Sequence, residues 1–239
     1  MPRRSRLILP GVPLHLIQRG NNRQVCFFSD KDYQIYLGWL AEYAGKTGCQ
    51  IHAYVLMTNH VHLLVSAAQP AAVGTLMKAL GQRYVQYVNR VYQRSGTLWE
   101  GRFRSCPIQE EAYLLACQRY IEMNPVRARM VTHPVEYRWS SYHANAQGEA
   151  ETLIQPHGIY DGLGLDVPLR QAAYRELFNT VLEPTLVNEI RKATNGNFLL
   201  GDELFAAHVA ASLGRRVQPG KSGRPLKEFS PSKAKQSLA

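Results

Sequence analysis

Two histidines one residue apart interrupt the otherwise apolar run "MTNHVHLLVS" at positions 57–66. In an extended strand alternate side chains share a face, so His60 and His62 project together, roughly 7 Å apart at two strand rises. Neutral imidazoles at that spacing can share a divalent cation. Nitrogen donors suit Mn²⁺, Zn²⁺, Co²⁺ or Ni²⁺, whereas Mg²⁺ favours more oxygen. Two donors do not complete a site, and "RYIEMNPVRARMV" supplies more chemistry. In a helix running to Asn124 and stopped by Pro125, Tyr120 and Asn124 lie one turn apart on one face. An Asn carbonyl oxygen can complete a metal site, and a Tyr oxygen can attack a phosphorus polarised by the metal. Glu122 falls on another face and is the weaker ligand candidate. Tyr113, two turns before Tyr120, is the rival nucleophile.

The elements that must position these groups follow from periodicity. "LHLIQR" alternates and breaks at Gly20-Asn21-Asn22, a strand leaving its sheet. Ser29 or Asp30 can cap a helix through "KDYQIYLGWLAEYAGKTG". "QIHAYVLMT" and "HVHLLVSA" form a hairpin around Thr58-Asn59. A long helix follows through "AAVGTLMKALGQRYVQYVNRVYQR", then a strand at "GRFRSCPIQ" and a helix over "EEAYLLACQRYIEMN", acidic at its N-terminus where the macrodipole favours it. The order βαββαβ plus a helix is the split pattern of an α+β fold, a ferredoxin-like antiparallel sheet with helices on one face. Residues 1–150 are expected to form this domain, 165–214 a small helical C-terminal unit, and 215–239 a basic tail that stays disordered without a partner.

The chain of 239 residues carries 28 Lys and Arg against 18 Asp and Glu, a formal charge of +10. That excess favours a polyanionic partner, nucleic acid above all. "GQRYVQYVNRVYQRSGTLWEGRFR" interleaves Arg83, Arg90, Arg94, Arg102 and Arg104 with Tyr84, Tyr87, Tyr92 and Trp99, cations for phosphates and rings for unstacked bases. Helical spacing assigns Tyr84, Val88 and Val91 to packing. Arg19 and Arg23 flank the turn in "QRGNNRQ", and Lys221, Arg224 and Lys227 resemble a minor-groove arm. The four scattered cysteines, Cys26, Cys49, Cys106 and Cys117, fit a reducing cytoplasm, and no run reaches the length of a membrane span. "AGKTG" lacks the earlier glycine of a Walker loop, position 40 being Leu40, so no nucleotide cofactor is expected.

His60-Val61-His62 is similar to the histidine–hydrophobe–histidine strand motif of the HUH single-strand endonucleases. "VLMTNHVHLLV", "GTLWEGRFRS" and "YIEMNPVRARMV", in that order, resemble the REP-associated tyrosine transposases, relatives of the single-tyrosine, IS200-like transposases, over residues 7–142. The resemblance implies a nuclease domain with a divalent metal, Mg²⁺ or Mn²⁺, held by His60 and His62. It also implies Tyr120 as nucleophile and a polar third ligand one turn later. That ligand is Asn124 here, where insertion-sequence relatives carry Gln. The implied reaction cleaves and rejoins single-stranded or hairpin DNA through a 5′-phosphotyrosine, by a monomer or a homodimer. A second class of function is a domesticated, non-cleaving hairpin-DNA-binding regulator. A third, hydrolysis by metal-activated water, needs Glu122 or Glu110 as general base.

Overall fold

The computed structural model describes residues 6–219. Its sheet is built from β1 (Leu14–Arg19), β2 (Cys49–Met57), β3 (His60–Ala67) and β4 (Arg104–Pro107), in the order β2-β3-β1-β4 with every neighbour antiparallel. This is the ferredoxin-like order. β2 and β3 close directly on Thr58-Asn59, pairing Met57 with His60.

The crossover helices α1 (Asp30–Thr47) and α2 (Pro70–Val91) cover one face of the sheet. Tyr33, Tyr36 and Leu40 of α1 and Val73, Leu76, Leu80, Tyr84 and Val88 of α2 meet Leu14, Leu16, Leu56 and Leu63 from the strands. Ser29 and Asp32 close a capping box at the start of α1, and Asp32 also accepts the hydroxyls of Tyr87 and Tyr92. Tyr84 is fully buried, as expected of a packing residue, but Val91, the last residue of α2, is half exposed.

The helices are not confined to that face. On the opposite face α3 (Glu110–Glu122) packs against Ala53, Val55, Met57 and Leu64. The short helices α4 (Asn124–Arg127), α5 (Tyr142–Gln147) and α6 (Gly158–Asp161) follow, then α7 (Val167–Glu176), α8 (Pro184–Gly196) and α9 (Glu203–Leu213). In α8 Val187, Ile190 and Ala193 join Cys106, Ile108 and Cys117 in the second core, so the C-terminal helices share the sheet's own interior. Val217 is buried with Leu7 and Leu199, and its carbonyl accepts from the Leu199 amide. The packed chain therefore runs past 215, where the composition of the sequence places the start of the tail, because one apolar residue there finds a partner cluster. Lys221, Arg224 and Lys227 lie outside the described residues. All four cysteines are buried free thiols, and no helix among the described residues is long and apolar enough to cross a membrane.

The helix expected to run through Asn124 stops at Glu122, and Met123 kinks the chain into α4. Pro125 has no N–H to give the carbonyl four residues back, that of Ile121. Asn124 supplies the missing donor: its Nδ2 lies 3.1 Å from the Ile121 carbonyl and 3.2 Å from that of Tyr120. The Asn-Pro pair thus both breaks the helix and heals the break.

Candidate active site

Alternation along β1 sends His15, Ile17 and Arg19 to the α3 face, and β3 adds His60 and His62. Register sets Arg19 opposite His60 and Ile17 opposite His62. From the helices come Tyr120, Asn124, Arg127, Arg191 and Asn195. Apart from His15, which lies just beneath, these residues line one cavity of about 270 Å³. Tyr113 is not in its lining.

The two imidazole rings are 5.0 Å apart between centroids, and each is held in one tautomer by neighbours the motif does not include. Asn59 donates its Nδ2 to the Arg23 carbonyl, at 3.0 Å, which turns its Oδ1 toward His60 Nδ1, 2.6 Å away. An amide oxygen only accepts, so His60 carries its proton on Nδ1 and leaves Nε2 bare. For His62 the relay is longer. Thr194 donates its hydroxyl to the Ile190 carbonyl, at 2.8 Å, and so accepts from His15 Nδ1, at 2.9 Å. His15 Nε2 is then an acceptor, and His62 Nδ1, 2.8 Å away, donates to it. His62 Nε2 is left with its lone pair free. Burial holds all three rings neutral: His15 is pushed down to about 3, His60 to about 4, and His62 well below the usual imidazole range, with Arg19 adding to the depression of both His60 and His62.

Tyr120 packs edge-on against His15 and His62, at centroid separations of 5.6 and 6.0 Å, and is nearly buried. The Arg127 guanidinium lies 3.9 Å from the centre of its ring. Arg127 also donates to Asn124 Oδ1 at 2.7 Å, and burial lowers its pKa to about 10. A buried guanidinium at the wall of a cavity is a ready anion contact.

Residues 10–124 match the family model described as IS200-like transposase. That stretch, just under half of the chain, is similar to the IS200-like transposases. Its fold is that of a solved REP-associated tyrosine transposase bound to a REP hairpin, with a TM-score of 0.52 at 15% identity over 66% of this chain and 93% of the other. A second solved chain, named as a transposase from Deinococcus radiodurans R1, aligns at 23% identity over 51% of this chain and 96% of its own, with a TM-score of 0.36. No curated protein matches the sequence.

Within this fold the arginines that the sequence marks as DNA contacts divide. Arg19 lines the cavity, and Arg104, beside it on β4, donates to Asn195 at 2.7 Å. Arg102 lines two neighbouring cavities. Arg90 is exposed at the end of α2, Arg94 lies over the Phe28 ring at 5.6 Å, and Arg23 is exposed in the β1–α1 turn. Arg83 belongs elsewhere. It is paired with Glu42 at 2.7 Å and lies over Trp39 on the outer side of the α1–α2 layer.

Neither acidic residue offered as a general base faces the cavity. Glu122 is fully buried and accepts from Ser141, Asn145 and Tyr174, and burial pushes it up to about 7. Glu110 sits 3.6 Å from His157. Among the described residues no group of three or more His, Cys, Asp or Glu is arranged to hold a metal. The donor set still fits a cation with two nitrogen ligands, His60 Nε2 and His62 Nε2. The Asn124 oxygen has one lone pair left after Arg127. Sequence reasoning missed His15, Asn59, Arg127, Arg191 and Thr194. Arg127 stands inside the quoted "NPVRARMV", and Asn59 adjoins the histidines. For His15 and Thr194, which lie 179 residues apart, local pattern carries no signal.

Proposed function

We propose that this domain cleaves and rejoins single-stranded or hairpin DNA, with Tyr120 as the attacking group. The observation that carries the reading is the convergence of Tyr120 with two bare imidazole nitrogens and with Arg19, Arg127 and Arg191 on one cavity. The solved relative of the same fold is bound to a REP hairpin, which supports DNA of that kind as the substrate.

His60 and His62 would hold a divalent ion, Mn²⁺ or Mg²⁺, with Asn124 as a weaker third ligand, and such an ion supplies Lewis-acid polarisation of the scissile phosphate. Arg19 and Arg127 hold the non-bridging oxygens and offset charge that develops on them. The Tyr120 oxygen then attacks phosphorus and gives up its proton, while the P–O3′ bond breaks and the departing oxygen takes up a proton. The product is a 5′-phosphotyrosine with a free 3′-OH. Attack by another 3′-OH reverses the step and joins a new strand, so no ATP is needed. The packing of α3 fixes Tyr120 against His15 and His62, which pre-orients the phenol before DNA arrives.

A non-cleaving regulator would keep the basic surface without needing two histidines locked with Nε2 toward the cavity. Incubation with a hairpin oligonucleotide and Mn²⁺ separates the two. Nicks and a covalent adduct are expected, with His60→Ala abolishing both while hairpin affinity stays within about twofold, since phosphate contacts by arginine dominate binding. Equal loss of binding and cleavage would make His60 structural.

A further inference from the structure

Between β1 and α1 the chain turns through Asn21–Arg23, where two successive residues other than glycine hold left-handed backbone: Asn22 at φ +50° and Arg23 at φ +59°. Asn visits that region readily because its short amide bonds locally, but an arginine has no such reward. Both side chains are exposed, so burial does not offset the strain. Backbone in a sparsely populated region persists only where its surroundings over-determine it, and such residues gather at functional sites. Here the surroundings are the tight turn between β2 and β3. The Gly20 amide donates to the Asn59 carbonyl at 2.8 Å, and the Cys26 amide to that of Thr58 at 2.8 Å. The Arg23 amide reaches back to the Gly20 carbonyl at 3.0 Å. A Cβ at Gly20 would lie 2.2 Å from the Gln24 carbonyl oxygen, so glycine is what lets the chain fold back this closely. The two turns are clasped together, and the clasp sets the Arg23 carbonyl 3.0 Å from the Asn59 amide nitrogen.

That amide has two possible orientations. With Nδ2 on the Arg23 carbonyl, Oδ1 faces His60 Nδ1 and accepts its proton. Rotated by half a turn, it would offer N–H groups to His60 Nδ1. The ring would then accept there and carry its proton on Nε2, with no lone pair for the cavity. The same rotation would set Oδ1 against the Arg23 carbonyl, acceptor against acceptor. The carbonyl therefore excludes the rotated state. A backbone oxygen 36 residues before Asn59 thus decides which nitrogen of His60 is bare.

We propose that Arg23 is a positioning residue for His60, acting through its left-handed backbone and its carbonyl, by way of Asn59, and not through its guanidinium. The strain at Arg23 is what aims the carbonyl at Asn59. That the bare Nε2 then serves a divalent cation rests on the reading of the site given above.

The test uses the full chain. Long-range ¹H–¹⁵N spectra of the metal-free protein read the His60 tautomer, and Mn²⁺ binding is followed by electron paramagnetic resonance. Arg23→Gly keeps the carbonyl and accepts φ +59° without strain, so tautomer and Mn²⁺ affinity should match the wild type within about twofold. Arg23→Pro carries a ring that fixes φ at about −65° and cannot form the turn. There His60 should lose its single Nδ1–H form and Mn²⁺ affinity should fall roughly 10–100-fold, the scale for losing a partner that orients a ligand. Asn59→Leu should show the same loss, and Arg23→Pro added to it should cost nothing further. In Asn59→Asp either oxygen accepts, so adding Arg23→Pro should leave His60 in its Nδ1–H form, a rescue that a general structural role for the turn does not give. The proposal is overturned if Asn59→Leu keeps the wild-type tautomer, or if Arg23→Gly loses as much as Arg23→Pro. It is also overturned if the Asp variant fails to rescue. Should Arg23→Pro not fold, Asn59→Leu and Arg23→Gly still decide. Mn²⁺ binding by the wild type tests the reading of His60 as a ligand separately: a tautomer that follows the turn in a protein that holds no Mn²⁺ would overturn that reading and keep the positioning role.

Discussion

His62 Nδ1 donates to His15 Nε2 across 2.8 Å, and this one hydrogen bond decides which nitrogen of His62 faces the cavity. The direction of that bond is dictated from α8, where Thr194 has already spent its proton on the Ile190 carbonyl.

Thr194→Val keeps the shape and removes the acceptor for His15. His15 is then free to carry its proton on Nε2, which would turn His62 into an Nε2–H tautomer without a lone pair for a metal. Two-dimensional long-range ¹H–¹⁵N spectra of the apo protein should show loss of the single Nδ1–H form of His62, and Mn²⁺ or Co²⁺ affinity should fall roughly 10–100-fold. An unchanged tautomer with unchanged affinity would show that His62 is oriented by packing alone.

Glu122 makes a pH-dependent contribution to stability that has nothing to do with the cavity. Its folded pKa, about 7, lies above its ordinary value of 4.5. The folded state therefore holds the proton more tightly than the unfolded state, and stability from this group is complete below 4.5 and lost as pH rises through 7, on the order of 3 kcal/mol in total. In urea titrations at pH 5 and pH 8, Glu122→Gln should gain on the wild type at the higher pH. A difference that does not change with pH would mean that Ser141, Asn145 and Tyr174 hold the carboxylate ionised.

Deletion of residues 220–239 removes five Lys and Arg, including Lys221, Arg224 and Lys227, while sparing buried Val217. If these side chains neutralise DNA phosphates, hairpin binding should weaken in the truncated chain. The slope of log affinity against log salt should also flatten, by about 0.7–0.9 for each phosphate that is no longer neutralised. An unchanged slope would remove the tail from the interface.

Much of this architecture can be read from periodicity. The bounds of β1, the β2–β3 hairpin with its Thr58-Asn59 turn and the two crossover helices match their sequence patterns to within a few residues. Local spacing also places His60 with His62 and Tyr120 near Asn124. What is not legible is set by long-range contacts. The acceptor role of His15 depends on Thr194, and the burial of Glu122 depends on Tyr174, Ser141 and Asn145. Arg83 reads as a phosphate contact in the sequence because Glu42, its partner, lies 41 residues away on another helix. The Asn124 amide reads as a free ligand because only the three-dimensional turn reveals that it substitutes for the missing N–H of Pro125.

Tyr120 is the residue proposed to carry the DNA. Tyr120→Phe removes one oxygen and keeps the ring against His15, His62 and Arg127, so fold, metal binding and hairpin affinity should be preserved within about twofold. The decisive measurement is peptide mapping of the protein–oligonucleotide adduct trapped from wild-type protein with Mn²⁺, run beside the Phe variant. A nucleotide is expected on the peptide containing Tyr120, with no adduct or joining in Tyr120→Phe. A nucleotide on another tyrosine, or wild-type nicking by the Phe variant, would contradict it.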